Sequence, residues 1–88
     1  VNTASPLSIF PNPATANVHF DYTLKKPSEI SIQVVDMYGK FSGSIFTASR
    51  NAGYNSEYLD LSNFHPGTYL IILESADGRM VGKLTLLR

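Results

Sequence analysis

Between Val18 and Leu24 every second residue is apolar, with Val18, Phe20, Tyr22 and Leu24 alternating against His19, Asp21 and Thr23. A period of two puts one set on a buried face and the other in water, which predicts a half-buried β-strand. Ile30, Ile32 and Val34 alternate with Ser31 and Gln33 in the same way, after Lys26-Pro27 has interrupted the first run. Leu7 to Phe10 predicts a short opening strand stopped by Pro11-Asn12-Pro13, because two prolines remove two ladder donors and fix two φ angles. Asp36-Met37-Tyr38-Gly39-Lys40 predicts a turn in which Gly39 takes the positive φ. Gly43 to Ala48 predicts a weaker strand around Ile45 and Phe46, ended by Arg50-Asn51-Ala52-Gly53.

Tyr54 to Leu61 alternates too, but Tyr54, Ser56 and Tyr58 against Asn55, Glu57 and Leu59 leaves the inward face unassigned. Asp60 to Gly67 predicts a crossing loop in which Leu61 and Phe64 plug one end of the core. Tyr69 to Leu73 is apolar at every position, as expected of a central strand covered on both faces or lying where two surfaces meet. Asp77-Gly78 predicts a two-residue hairpin that leads into a last strand, Met80 to Leu87. No helical period of useful length competes with this pattern. The predicted fold is all-β, an immunoglobulin-like antiparallel β-sandwich of about seven strands.

The length of 88 residues allows one domain. Small polar residues from Val1 to Ser5, closed by Pro6, predict a linker remnant over 1–6 and a folded domain over 7–88. The chain lacks an initiator methionine and reads as a piece of a longer protein. Seven basic residues balance seven acidic ones, so no net field draws in a nucleic acid or an anionic lipid surface. No apolar run reaches the roughly 20 residues that cross a bilayer, so membrane insertion is not expected. The chain has no cysteine, which excludes disulfides and thiolate metal sites.

A search for catalysis finds no nucleophile–base pairing and no Gly-x-Ser-x-Gly elbow, and no cofactor is expected. His19 and His65 have no metal-ligand spacing and read as solvated surface. Glu57 and Asp60 with Asn55 offer oxygen ligands for calcium, but their spacing matches no calcium loop, and a charged strand edge is the better reading. Tyr22, Tyr38, Tyr54, Tyr58 and Tyr69 suit either a core or a sugar-binding face; without tryptophan the core is favoured.

The order of motifs along the chain carries more information than any one of them. Ile9-Phe10-Pro11-Asn12-Pro13-Ala14, Val35-Asp36-Met37-Tyr38-Gly39, Leu61-Ser62-Asn63-Phe64-His65-Pro66-Gly67-Thr68-Tyr69-Leu70-Ile71 and a closing Lys83-Leu84 strand together resemble the C-terminal sorting domain of the type IX (Por) secretion system. The resemblance runs from Leu7 to the end of the chain. It implies a non-catalytic address on a larger cargo, placed at the C-terminus of secreted proteases, adhesins and other enzymes of Bacteroidetes-type bacteria. It implies passage through the periplasm and an outer-membrane translocon, binding by an outer-membrane shuttle protein, and cleavage by a sortase-like peptidase. The cargo then stays on the cell surface or is released. The matching positions are Pro11, Asn12 and Pro13 in the opening turn, Gly39 in the middle turn, Gly67 and Tyr69 in the Gly-x-Tyr motif, and Gly78, Lys83 and Leu84 in the terminal hairpin. Members of that family often end in a more lysine-rich strand, whereas this chain closes Leu84-Thr85-Leu86-Leu87-Arg88.

A last strand at a sheet edge would leave backbone groups for a partner to pair with by strand addition, and open edges also admit self-association. The competing reading is an accessory module, similar to fibronectin type III domains, that holds a secreted enzyme on carbohydrate or protein. An exposed row of tyrosines on a flat face would favour it.

Overall fold

The structure, a computed structural model that describes residues 5–38 and 41–87, turns each alternating stretch into a strand. The strands are β1 (Ser5–Pro6), β2 (Ile9–Phe10), β3 (Asn17–Leu24), β4 (Ser28–Asp36), β5 (Phe41–Arg50), β6 (Gly53–Asp60), β7 (Gly67–Ser75) and β8 (Gly78–Leu86). A five-stranded sheet has the order β1-β8-β7-β4-β5, and a three-stranded sheet the order β2-β3-β6. The chain changes sheet between β1 and β2, between β3 and β4, between β5 and β6, and between β6 and β7. This is the strand distribution of an immunoglobulin-like sandwich, as expected, with the two-residue β1 added in parallel to β8.

The core lies between the sheets because each long strand sends alternate residues inward. Val18, Phe20, Tyr22 and Leu24 from β3 meet Ile30, Ile32 and Val34 from β4, Ile71 and Leu73 from β7, and Leu84 and Leu86 from β8. Leu61 is buried beneath one end and Phe64 packs against the cluster, the plug expected of that loop. Tyr69 to Leu73 is a central strand between β4 and β8, but only Tyr69, Ile71 and Leu73 are fully buried, and Leu70 and Ile72 on the outer face are half-buried.

Three local details differ from the sequence reading. β5 runs ten residues, beyond the expected Gly43 to Ala48, because its pairing with β4 continues to Ser28↔Arg50 and, past a bulge between Val34 and Val35, to Val35↔Phe41. The terminal hairpin turns one residue earlier than Asp77-Gly78, with Ser75 opposite Gly78 and Ala76-Asp77 as the loop; Gly78 follows it with φ 125°. Ser28 Oγ accepts the Ala76 N–H at 2.9 Å and the Asp77 carboxylate accepts the Lys25 N–H at 2.8 Å, so contacts with the β3–β4 turn hold the earlier position. On β6 the inward set is Glu57 and Leu59, which leaves Tyr54 and Tyr58 exposed; with Tyr38 also exposed, only Tyr22 and Tyr69 join the core. Gly39 lies outside the described residues.

Candidate functional site

The opening turn meets the closing strand through one side chain. Pro11 and Pro13, both after cis peptide bonds, flank Asn12. The Asn12 amide nitrogen donates to the Lys83 carbonyl at 2.8 Å, and its amide oxygen accepts the Thr85 N–H at 3.1 Å. A carbonyl and an N–H two residues apart on one edge of a strand are the groups a neighbouring strand would bind. A carboxamide carries one donor face and one acceptor face, so it satisfies both. An ionised Asp would offer acceptors alone, and a Ser hydroxyl would have to serve both groups from one atom on a shorter side chain.

The rest of the β8 edge is filled by the same N-terminal segment. β1 pairs with Met80 and Val81, the Leu7 N–H donates to the Val81 carbonyl at 3.1 Å, the Ala14 N–H donates to the Thr85 carbonyl at 2.9 Å, and the Leu87 N–H donates to the Ala14 carbonyl at 2.7 Å. The expectation that the last strand offers unpaired backbone to a partner is therefore corrected: residues 5–14 already occupy that edge. Gly82 makes the close approach possible. A β-carbon there would stand 2.6 Å from Ile9 Cδ1 and 2.7 Å from the Leu7 carbonyl oxygen. Sequence reasoning missed Gly82, although a lone glycine inside a strand signals close backbone approach.

The other matching positions gather at the same end of the sheet, with one exception. Tyr69 stands directly opposite Leu84 across the β7–β8 pair, and Gly67 opposite Leu86. Leu84 points into the core while the Lys83 side chain is exposed. Tyr69 is buried, packs edge-on against Phe64 with ring centroids 5.6 Å apart, and donates its hydroxyl to the His65 carbonyl at 2.6 Å. A tyrosine at the start of this strand, bonded back to the loop just before it, is the tyrosine corner of immunoglobulin-like sandwiches. Gly67, at φ 153°, lets the loop join the strand at that corner. Pro11, Asn12, Pro13, Gly67, Tyr69, Lys83 and Leu84 thus belong to one region, while Gly78 lies at the far end of the hairpin.

The opposite side of the sandwich holds a polar cluster that the sequence reading did not assemble. Arg50, the last residue of β5, reaches across to Glu57 on β6 with Nε–Oε2 at 2.7 Å and an N–H–Oε1 contact at 3.0 Å, and the Tyr22 hydroxyl donates to the same carboxylate. Glu57 is 6% exposed. Burial pushes its carboxyl up, but the Arg50 and Tyr22 hydrogen bonds outweigh that and hold it below the ordinary value. Burial and the adjacent carboxylate push the Tyr22 hydroxyl well above its usual range. A calcium site shared by Glu57, Asn55 and Asp60 does not form: residues 57 and 60 have opposite parity on one strand, so Glu57 faces the core while Asp60 is exposed. Among the described residues no group of three or more metal-ligating side chains is gathered.

On the outer face of the smaller sheet, His19 departs from the solvated-surface expectation. Its ring lies 5.1 Å from that of Phe10 and 5.7 Å from that of Tyr58, parallel to the latter within 8°. His65 is exposed and contributes its backbone carbonyl to the tyrosine corner.

No curated protein matches the chain. The family model described as the secretion system C-terminal sorting domain matches residues 8–86, a span that includes the opening turn, the tyrosine corner and the closing strand. The match covers nearly the whole of the 88 residues, and the chain belongs to the family of secretion system C-terminal sorting domains.

Proposed function

We propose that this domain is the non-catalytic address by which a larger cargo crosses the type IX outer-membrane translocon, and that the export machinery, including an outer-membrane shuttle protein, reads it folded. The surface read is the one where the opening turn meets the closing strand. The observation that carries this reading is the Asn12 clamp, which fixes residues 71 and 73 positions apart in sequence into one surface with the Lys83 side chain exposed beside it. Strand addition at the β8 edge would first require residues 5–14 to leave; recognition of the assembled surface requires no such displacement. After passage, a sortase-like peptidase cuts within or before residues 1–6, leaving the cargo attached to the cell surface or released. Family membership supports the sorting role.

The test is a periplasmic reporter fused to this domain in a type IX-competent host. The parent fusion reaches the surface or the medium. Lys83→Glu, which alters an exposed charge and leaves the core intact, lowers export while the reporter still folds in the periplasm. Removing Met80 to Arg88 abolishes export, but it also strips Leu84 and Leu86 from the core, so the point substitution is the sharper probe. Undiminished export of both Lys83→Glu and Asn12→Ala fusions rejects recognition at this surface, and undiminished export of the truncation rejects the sorting role.

A further inference from the structure

The outer face of the β2-β3-β6 sheet carries side chains that neither the fold nor the sorting role accounts for. Strand register places Phe10, His19 and Tyr58 in one row across all three strands, Asp21 beside Ser56 in the next, and Thr23 beside Tyr54 in the last. Cross-strand ring contacts stabilise a sheet, and they explain the row of Phe10, His19 and Tyr58, whose rings touch in turn. They do not explain Tyr54, nor the ring surface that Tyr58 still leaves open on the edge strand. Tyr58 is 76% exposed and Tyr54 is 73% exposed, so both keep most of their ring surface in water. Four residues separate them, a span of ~13 Å at ~3.3 Å per residue, and the Asp21–Ser56 pair lies between.

The polar groups in that gap are arranged as acceptors. Ser56 donates its hydroxyl to the Asp21 carboxylate. With its proton committed to Asp21, the Ser56 oxygen keeps lone pairs for an incoming O–H, and the carboxylate retains acceptor capacity. The Ser56 bond first, and the neighbouring Tyr54 hydroxyl second, hold the Asp21 carboxyl below its ordinary value. Among the described residues of the face, Asn17, Thr23 and Asp60 bring no cation, and the nearest lysine along the chain, Lys25, lies past the end of β3. An anionic polymer would meet two carboxylates with almost nothing to pair it. A neutral saccharide meets what it needs: ring faces for its C–H surfaces and acceptors for its hydroxyls.

We propose that this face binds a neutral oligosaccharide, with Tyr58 and Tyr54 stacking on sugar rings and the Asp21–Ser56 pair accepting hydrogen bonds from the hydroxyls between them. The site is independent of the sorting role and lies on the sheet that does not contain β8.

The test titrates the isotope-labelled 88-residue chain with a neutral glucose hexasaccharide, a neutral mannose hexasaccharide and an anionic hyaluronan fragment, followed by amide shifts. At least one neutral hexasaccharide gives saturable shifts centred on Asp21, Tyr54, Ser56 and Tyr58, and the anionic fragment gives none. Tyr54→Ala and Tyr58→Ala each weaken that binding by about tenfold, with the amide spectrum of a folded domain and unchanged export of the reporter fusion. The proposal is overturned by an absence of saturable shifts with both neutral probes, by binding that survives both substitutions, or by preference for the anionic fragment. It is equally overturned if both variants lose export while the parent binds no saccharide, since the face would then be a contact for the export machinery.

Discussion

At the β8 edge the two sheets are joined by backbone hydrogen bonds and one neutral carboxamide, Asn12; at the β5–β6 edge they are joined by an ion pair with a tyrosine hydroxyl on it. Both leave their buried polar atoms satisfied, and among the described residues no buried side-chain nitrogen or oxygen lacks a partner. The difference lies in what each closure depends on. The Asn12 clamp has no titrating group and no net charge to desolvate. The Arg50–Glu57–Tyr22 cluster takes a carboxylate out of water and is stable only while that carboxylate is ionised and matched. The edge that gathers Asn12, Lys83 and Leu84 is therefore the one whose geometry is indifferent to acidity and salt.

The largest expected effect comes from unmatching the charged edge. Glu57→Ala leaves the Tyr22 hydroxyl without its acceptor and frees Arg50, which is 30% exposed and can partly recover water; urea unfolding is expected to show a loss of about 3 kcal/mol. Gly82→Ala attacks the neutral edge by sterics: the new methyl meets a backbone oxygen and Ile9, with an expected loss of about 2 kcal/mol and exchange of the Leu7 amide much faster than in the parent. Asn12→Ala removes two exposed hydrogen bonds for a loss of about 1 kcal/mol, and combined with Glu57→Ala it should add to within about 0.5 kcal/mol because the two sites lie on opposite edges. Coupling well above that would mean the edges are not independent.

Acidification gives the smallest and most selective contrast. Glu57 has a folded pKa below its unfolded value, so its contribution is complete above about pH 4.3 and is lost as pH falls through the folded pKa. Asp21, half-buried, and Asp60, exposed, shift in the same direction. The part specific to the charged edge is therefore the difference between the parent and Glu57→Gln: the parent's urea midpoint should fall more steeply below pH 4.3, whereas Asn12→Ala should parallel the parent.

The strands were legible where alternation is clean. Val18 to Leu24 and Ile30 to Val34 fall inside β3 and β4, and the inward residues are the apolar ones. β6 was not, because its inward set contains a carboxylate and its outward set two tyrosines, which inverts the usual hydropathy of the two faces. Glu57 reads as an inward residue only once Arg50 and Tyr22 are seen to converge on it from β5 and β3. The turn chemistry of Pro11-Asn12-Pro13 was legible as a turn, but the function of Asn12 there is a contact more than 70 residues along the chain, which no local pattern encodes. The hairpin missed by one residue for a similar reason, since Ser28 and Lys25 bond to its loop.

The parallel arrangement of β1 and β8 also fixes how the domain bears tension. Because the two strands run the same way side by side, a pull on the chain before Ser5 and after Leu86 slides them lengthwise past each other. The bonds at Leu7, Asn12 and Ala14 then resist together in shear, whereas antiparallel neighbours gripped at one end would peel apart bond by bond. A load applied between those two points would thus be shared among these bonds rather than concentrated on one.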